Sequence, residues 1–255
     1  MFEQMKVKDV KDYITTIDHS EYMKYIEILK EDKRKSVKDI ATKLAKELDK
    51  RRIEDERLER MLEFERELYE NGYELIGGID EAGRGPLAGP VVSSVVILKK
   101  EDKIRFVNDS KKLSEKRREE LYDIIMDRAI SVGIGIVDNK RIDEINILNA
   151  TYESMLNAID SMSKKPDALL LDAVRLPKTK LFQKSIFQGD AKSLSIAAAS
   201  IIAKVTRDRI MKEYHEKYEE YDFLSHKGYG TKYHYDAIKE HGITDIHRLS
   251  FLKNL

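Results

Sequence analysis

Gly77-Gly78-Ile79-Asp80-Glu81-Ala82-Gly83-Arg84-Gly85-Pro86-Leu87-Ala88-Gly89 is the stretch on which the reading of this chain turns. It holds five of the twelve glycines and sets two adjacent carboxylates, Asp80 and Glu81, where an apolar run meets a glycine-rich turn. Glycine is required where the backbone takes φ > 0 or approaches another group closely. Such density beside an acidic pair predicts a ligand lying against main-chain amides while the carboxylates hold a cation. The next residues, Val91-Val92-Ser93-Ser94-Val95-Val96-Ile97-Leu98, read as a buried strand, so the glycines form a turn between strands and not a flexible linker.

Outward from this turn, strand-like and helix-like segments alternate. Residues 74–80 and 90–98 read as strands, 114–128 as a helix, 129–138 as a third strand and 142–162 as a second helix. Ala168-Leu169-Leu170-Leu171-Asp172 is a short apolar strand ending on an acid, and 193–218 a long helix whose first half is small and apolar enough to lie close against a sheet. The expected architecture is α/β, with a central mixed sheet flanked by helices. Residues 1–70 contain neither proline nor glycine, are highly charged and read as helical, with Ser36-Val37-Lys38-Asp39 as a capping box and Asn71-Gly72 as a stop. The expected division is a helical N-terminal extension over 1–70 and a catalytic domain with a helical C-terminal region over 71–255.

Composition narrows the function. At 255 residues there is room for one substantial core and a smaller appendage. Cysteine is absent, which excludes disulfides and thiolate metal sites and is consistent with the reducing cytoplasm. No apolar run approaches the roughly 20 residues of a membrane span. With 47 basic and 47 acidic residues, overall charge does not argue for a nucleic-acid partner, so local clusters must do so. Candidates are Lys111 and Lys112, the triplet Lys116-Arg117-Arg118, and Lys178, Lys180 and Lys184. No self-association motif stands out, and a monomer is expected.

The acids form a pattern. Asp80 and Asp172 both end apolar strands, where open α/β sheets place their sites. Asp190 follows Gly189 at the opening of the long helix, where it could also serve as an N-cap. Asp208 lies 18 residues further on, about 27 Å along a straight helix, so the two cannot share one metal pair and Asp190 is preferred. A cluster of carboxylates without cysteine suits Mg²⁺ or Mn²⁺ and the two-metal chemistry of phosphoryl transfer. His226, His234, His241 and His247 crowd the last thirty residues, but their spacings fit no zinc pattern, and surface or loop roles are expected.

Residues 78–92 resemble the signature of bacterial ribonuclease HII. So do Asp109-Ser110-Lys111-Lys112-Leu113, Leu170-Leu171-Asp172, the run from Gly189 to Asp208, and His226-Lys227-Gly228-Tyr229-Gly230-Thr231, in the family's order. The resemblance implies a ribonuclease H-like fold and an endonuclease that cuts RNA in RNA–DNA hybrids and 5′ of ribonucleotides embedded in duplex DNA, leaving 3′-hydroxyl and 5′-phosphate ends. It implies Asp80, Glu81, Asp172 and Asp190 as catalytic ligands of two divalent ions. It also implies Gly83, Arg84 and Gly85 as readers of the 2′-hydroxyl, and Tyr229 as a platform for the adjoining sugar. Lys111, Lys112 and Lys227 become candidate phosphate contacts. Such an enzyme serves ribonucleotide removal and primer processing, with any replication or repair partner unidentified. Alternatives are another ribonuclease H-like DNA or junction endonuclease, or a non-catalytic hybrid-binding protein. The resemblance assigns residues 1–70 no role.

Overall fold

The computed structural model describes residues 2–252. The chain divides into two compact units, Met1–Glu59 and Arg60–Leu255. The smaller contains helices α1 (Val7–Thr15) and α2 (Tyr22–Lys30) and most of α3 (Lys35–Met61). Val10, Ile14, Tyr25, Ile26, Leu29, Val37 and Leu44 recur at helical intervals and meet in its own core. The expected capping box at Ser36 is not formed, because α3 is already helical at Lys35. The turn before it is instead made by Asp32, which accepts the Arg34 N–H at 2.9 Å and its guanidinium at 2.6 Å.

The larger unit opens with α4 (Glu63–Glu70), stopped at Asn71 and Gly72. There follow β1 (Ile76–Ala82), β2 (Val91–Ile97), α5 (Glu115–Arg128), β3 (Ser131–Val137) and α6 (Asn139–Ser161). The chain continues through β4 (Ala168–Asp172), β5 (Phe182–Ile186), α7 (Gly189–Lys192), α8 (Leu194–Lys217), α9 (Phe223–His226) and α10 (Lys232–His241). The five strands run in the order β3-β2-β1-β4-β5. β1, β2 and β3 pair antiparallel, while β4 and β5 run parallel to β1. This is the expected mixed sheet, with β5 added as an unforeseen edge strand. No described helix is long and apolar enough to cross a membrane.

Strand alternation assigns each face a helix. Ile79, Val95, Leu169 and Leu171 pack with Met155 and Ala158 of α6 on one side. Ile76, Ala168 and Leu170 pack with Ile196 of α8 and Leu68 of α4 on the other. Gly78 lets α8 press onto β1, since a Cβ there would lie 2.2 Å from the Ser195 carbonyl carbon. The two serines of β2 reach opposite helices: Ser94 donates to the Ala199 carbonyl of α8 at 2.7 Å, and Ser93 pairs with Ser154 of α6 at 2.6 Å.

Candidate active site

Asp80 shares the α8-facing parity of Ile76 and Gly78, so the alternation that buries its neighbours buries it too. β1 and β4 run in register through Ile79 and Leu171. One step on, Asp80 and Asp172 end neighbouring strands, close enough for the charge of Asp172 to act on Asp80. Asp172 accepts the Gly189 N–H at 2.8 Å, which anchors the short turn carrying Asp190. Asp190 lies inside α7 and does not cap the long helix; that cap is Ser193, whose hydroxyl accepts from Ile196 N–H.

Burial and mutual charge act on these carboxyls together. Burial pushes Asp80 well above the usual carboxylate range, and the charges of Glu81 and Asp172 push it further, against the Ser200 hydroxyl. Burial also raises Glu81, opposed by Arg84, whose Nη1 stands 3.1 Å from its Oε1. Burial, Asp109 and Asp172 raise Asp190. A cation would remove this mutual penalty, and the donors are all oxygen, so the set fits a hard divalent ion by charge and chemistry. As they stand, no three His, Cys, Asp or Glu side chains among the described residues enclose one ion.

A cleft of about 220 Å³ opens over Asp80 and Glu81 and is walled by Gly83, Arg84, Gly85, Lys111, Lys204, Arg207 and Tyr229. Gly83 takes φ +93°, and a Cβ there would meet Arg207 Nε at 2.1 Å, so only glycine fits. Tyr229, just under half exposed, stands within reach of Gly85 and 6.0 Å from the Arg207 guanidinium. Lys111 reaches Asp190 at 3.7 Å. Burial works against its charge, but Asp109, Asp190, Asp80 and Asp172 outweigh this and raise its pKa. A larger depression of about 880 Å³ beside the start of α6 holds none of these groups, and its Arg141 is tied to Glu144 and Glu153.

Other candidates lie apart from the cleft. Lys112 is exposed at the end of a single 3₁₀ turn and does not line it. Lys227 turns its ammonium to the Leu224 carbonyl at 2.7 Å, although its own carbonyl accepts from Arg207. Arg118 binds Asp208 at 3.7 Å, and so does Lys204, itself a wall of the cleft, at 2.6 Å. Lys184 is engaged by Glu67 at 2.5 Å. The expectation of surface or loop roles fails for His234, buried within α10, and holds for His247 only as a loop residue, since it too is buried, with the two Nε2 atoms 3.0 Å apart.

Sequence reasoning missed several participants. Asp109 borders Asp190, yet it read only as part of a lysine-bearing run. Ser200, beside Asp80, lay hidden in a helix that read as packing. The fully buried Arg207 and Arg248 behind the glycine turn gave no signal, because isolated arginines read as surface charge.

The model of the family described as Ribonuclease HII matches residues 77–254, and that of the Ribonuclease HII N-terminal domain matches 6–69. The chain belongs to the ribonuclease HII family. It is 58% identical over 253 residues to a Ribonuclease HII of Clostridioides difficile (strain 630), covering 99% of each chain. It is 51% identical over 254 residues to one of Acetivibrio thermocellus, covering 98% of each. Among solved structures it resembles the ribonuclease H2 of Pyrococcus horikoshii OT3, with TM-score 0.57 and 29% identity over 70% of this chain and 99% of that one. The fold is therefore ribonuclease H-like, and the chain is an endoribonuclease of the ribonuclease H class that acts on RNA–DNA hybrids. The family depends on divalent metal.

Proposed function

We propose that this chain hydrolyses the RNA strand of RNA–DNA hybrids and cuts duplex DNA on the 5′ side of a single embedded ribonucleotide, leaving 3′-hydroxyl and 5′-phosphate ends. The observation that carries the reading is that the glycine turn 83–85 and Tyr229 wall the same cleft as Asp80 and Glu81. A reader of the sugar and a cutter of its phosphate would thereby share one cleft.

Asp80, Glu81, Asp172 and Asp190 would hold two Mg²⁺ or Mn²⁺ ions. Such a pair lowers the pKa of the attacking water and stabilises the leaving 3′-oxygen. The chain's own groups do the rest. Gly83, Arg84 and Gly85 present bare backbone to the sugar, and the 2′-hydroxyl is the group that separates RNA from DNA at one position. Tyr229 offers a flat, half-exposed face for the adjoining sugar. Lys111, held charged by the acids around it, is the lysine best placed for a substrate phosphate. In the cell these properties suit removal of misincorporated ribonucleotides and RNA primers from cytoplasmic DNA by a monomeric enzyme.

The test is cleavage of a labelled duplex with one ribonucleotide beside its all-DNA twin, with Mg²⁺, Mn²⁺ or chelator, for the unmodified chain and Asp80→Asn. Metal-dependent cutting only on the 5′ side of the ribonucleotide, lost in the variant, is expected. Equal cutting of both duplexes would make the chain a nuclease indifferent to the 2′-hydroxyl. No cutting of these or of a longer hybrid would leave a binding protein.

A further inference from the structure

Arg248 and Arg207 are 0% and 1% exposed, and what they hold is the main chain of the glycine turn. The C-terminal segment reaches the turn through a bridge between Ala88 and His247, with Gly89 N–H on the Ile246 carbonyl at 2.9 Å and Arg248 N–H on the Leu87 carbonyl at 2.8 Å. From there the Arg248 fork donates to the carbonyls of Gly89 at 2.9 Å, Arg84 at 3.0 Å, Gly83 at 2.6 Å and Pro90 at 3.1 Å. Arg207, on α8, takes the carbonyls of Pro90, Ala88 and Lys227 at 2.9 to 3.1 Å. Neither has an ion-pair partner among the described residues. Two buried charges with no ion pair, met by carbonyl dipoles and by the more distant Asp208, Asp143 and Tyr229, are a costly way to brace a turn. Only a planar fork with five donors can gather so many carbonyls at fixed angles.

The consequence follows from peptide planarity. In a trans peptide the C=O and the following N–H point in opposite directions. Arg248 lies behind the turn and does not line the cleft, whereas Gly83, Arg84 and Gly85 do. With the Gly83 and Arg84 carbonyls drawn back to Arg248, the N–H groups of Arg84 and Gly85 point away from it. Neither N–H has a partner among the described residues. Successive free N–H groups of this kind form an anion-binding concavity.

We propose that Arg248 is a positioning residue that sets the peptide planes at Gly83–Arg84 and Arg84–Gly85, so that their two N–H groups stand fixed toward the ribonucleotide's 2′-oxygen and adjoining phosphate. This rests on the reading of the cleft as a ribonucleotide site. Discrimination between RNA and DNA then depends on a side chain that never touches substrate. Arg207 holds the far end of the turn and ties it, through Lys227, to the loop bearing Tyr229.

The experiment measures affinity for the one-ribonucleotide duplex and its all-DNA twin by fluorescence anisotropy, in the cleavage-deficient Asp80→Asn chain with and without Arg248→Lys. Lysine keeps the charge and loses the fork. The preference for the ribonucleotide duplex should fall about tenfold, the worth of one well-aligned charged hydrogen-bond set, with affinity for the twin changed less than about twofold. An unchanged preference, whether or not both affinities drop together, would overturn the proposal, since a purely structural brace moves both alike. If Arg248→Lys does not fold, amide resonances of Arg84 and Gly85 in the Asp80→Asn chain give the answer. They should shift further with the ribonucleotide duplex than with the twin, which keeps the phosphate and lacks the 2′-oxygen, and equal shifts would overturn the proposal. Absence of any preference before Arg248 is changed would overturn the reading of the cleft, and this inference with it.

Discussion

Asp80 sets a carboxyl at the buried floor of the cleft, at the end of a strand whose pattern puts it on the buried face. Its folded pKa is raised above the unfolded value of 3.8 by burial and by Glu81 and Asp172. The folded chain therefore binds more protons than the unfolded one above pH 3.8, and this group weakens the fold as pH rises through that range. Neutralising it removes the penalty. In chelator at pH 7, Asp80→Asn should melt about 2–4 °C above the unmodified chain, the response of a domain this size to about 1 kcal/mol, while metal-dependent cleavage is abolished. A lower melting temperature would mean that Asp80 is held by contacts the amide cannot replace. Tyr229 calls for a different substitution: its ring is half exposed, and its carbonyl, not its side chain, ties the loop to His234 at 3.0 Å. Tyr229→Ala should therefore spare stability and lower kcat/KM on the one-ribonucleotide duplex about 10- to 100-fold, as loss of a stacking platform does, whereas Tyr229→Phe should stay within about threefold. Asp80 was legible in the sequence because an acid has no packing reason to end an apolar strand. Arg248 was not, because its value lies in carbonyls more than 150 residues away, which no local pattern encodes.

At the scale of elements, the four strands with apolar runs were legible and β5 was not. Phe182-Gln183-Lys184-Ser185-Ile186 is an edge strand that buries only Ile186, so it lacks both the continuous run and the clean alternation that identify a strand. Helix α4 was legible as a helix but not as a support of the site. Its Glu65 is buried at the start of α8, where Oε1 accepts the Ser195 N–H at 3.0 Å and the hydroxyls of Ser193 and Ser195 at 2.6 and 2.7 Å. Glu65→Ala would orphan the Ser195 N–H and one of the two hydroxyls, which stand 3.2 Å from each other, three to five residues beyond Asp190. It should cost about 2–3 kcal/mol, or roughly 4–12 °C by calorimetry, while Glu65→Gln, which keeps the acceptor, should cost far less. The histidine cluster under the Tyr229 loop is similarly specific. His247 Nδ1 accepts the Thr244 N–H at 2.9 Å, which leaves its Nε2–H to donate to His234 Nε2 and His234 Nδ1–H to donate to the Tyr229 carbonyl. Both rings must be neutral for that chain to close, and burial lowers each to about 4. The unfolded rings take up protons near pH 6.5, so stability is fully present above that value. It should be lost at up to about 1.4 kcal/mol per pH unit per ring as pH falls toward 4. Denaturant midpoints from pH 7.5 to 4.5 would show the slope, and His247→Gln should flatten it.

For the molecule as a whole, the question is where the N-terminal extension ends. The sequence marks a stop at Asn71-Gly72, because that is where the helical pattern breaks. The chain's contacts divide it earlier, between Glu59 and Arg60, because Leu68 of α4 belongs to the core formed by Ile76, Leu170 and Ile196. Two truncations separate these boundaries. A chain starting at residue 69 loses Glu65 and Leu68 together. Loss of a fully buried leucine alone costs about 2–5 kcal/mol, a large part of a typical domain's stability, so this chain should be largely unfolded or insoluble. A chain starting at Arg60 keeps both residues, with the sheet, the cleft and the C-terminal arginine. It should melt cooperatively and retain metal-dependent cleavage of the one-ribonucleotide duplex. The removed segment carries fifteen basic and fifteen acidic residues, so it adds no net phosphate-neutralising charge. The slope of log affinity against log salt should therefore match that of the full chain to within about one unit, because that slope counts the phosphates neutralised. A slope shallower by two or more, with the fold intact, would instead place two or more lysines or arginines of Met1–Glu59 on the duplex.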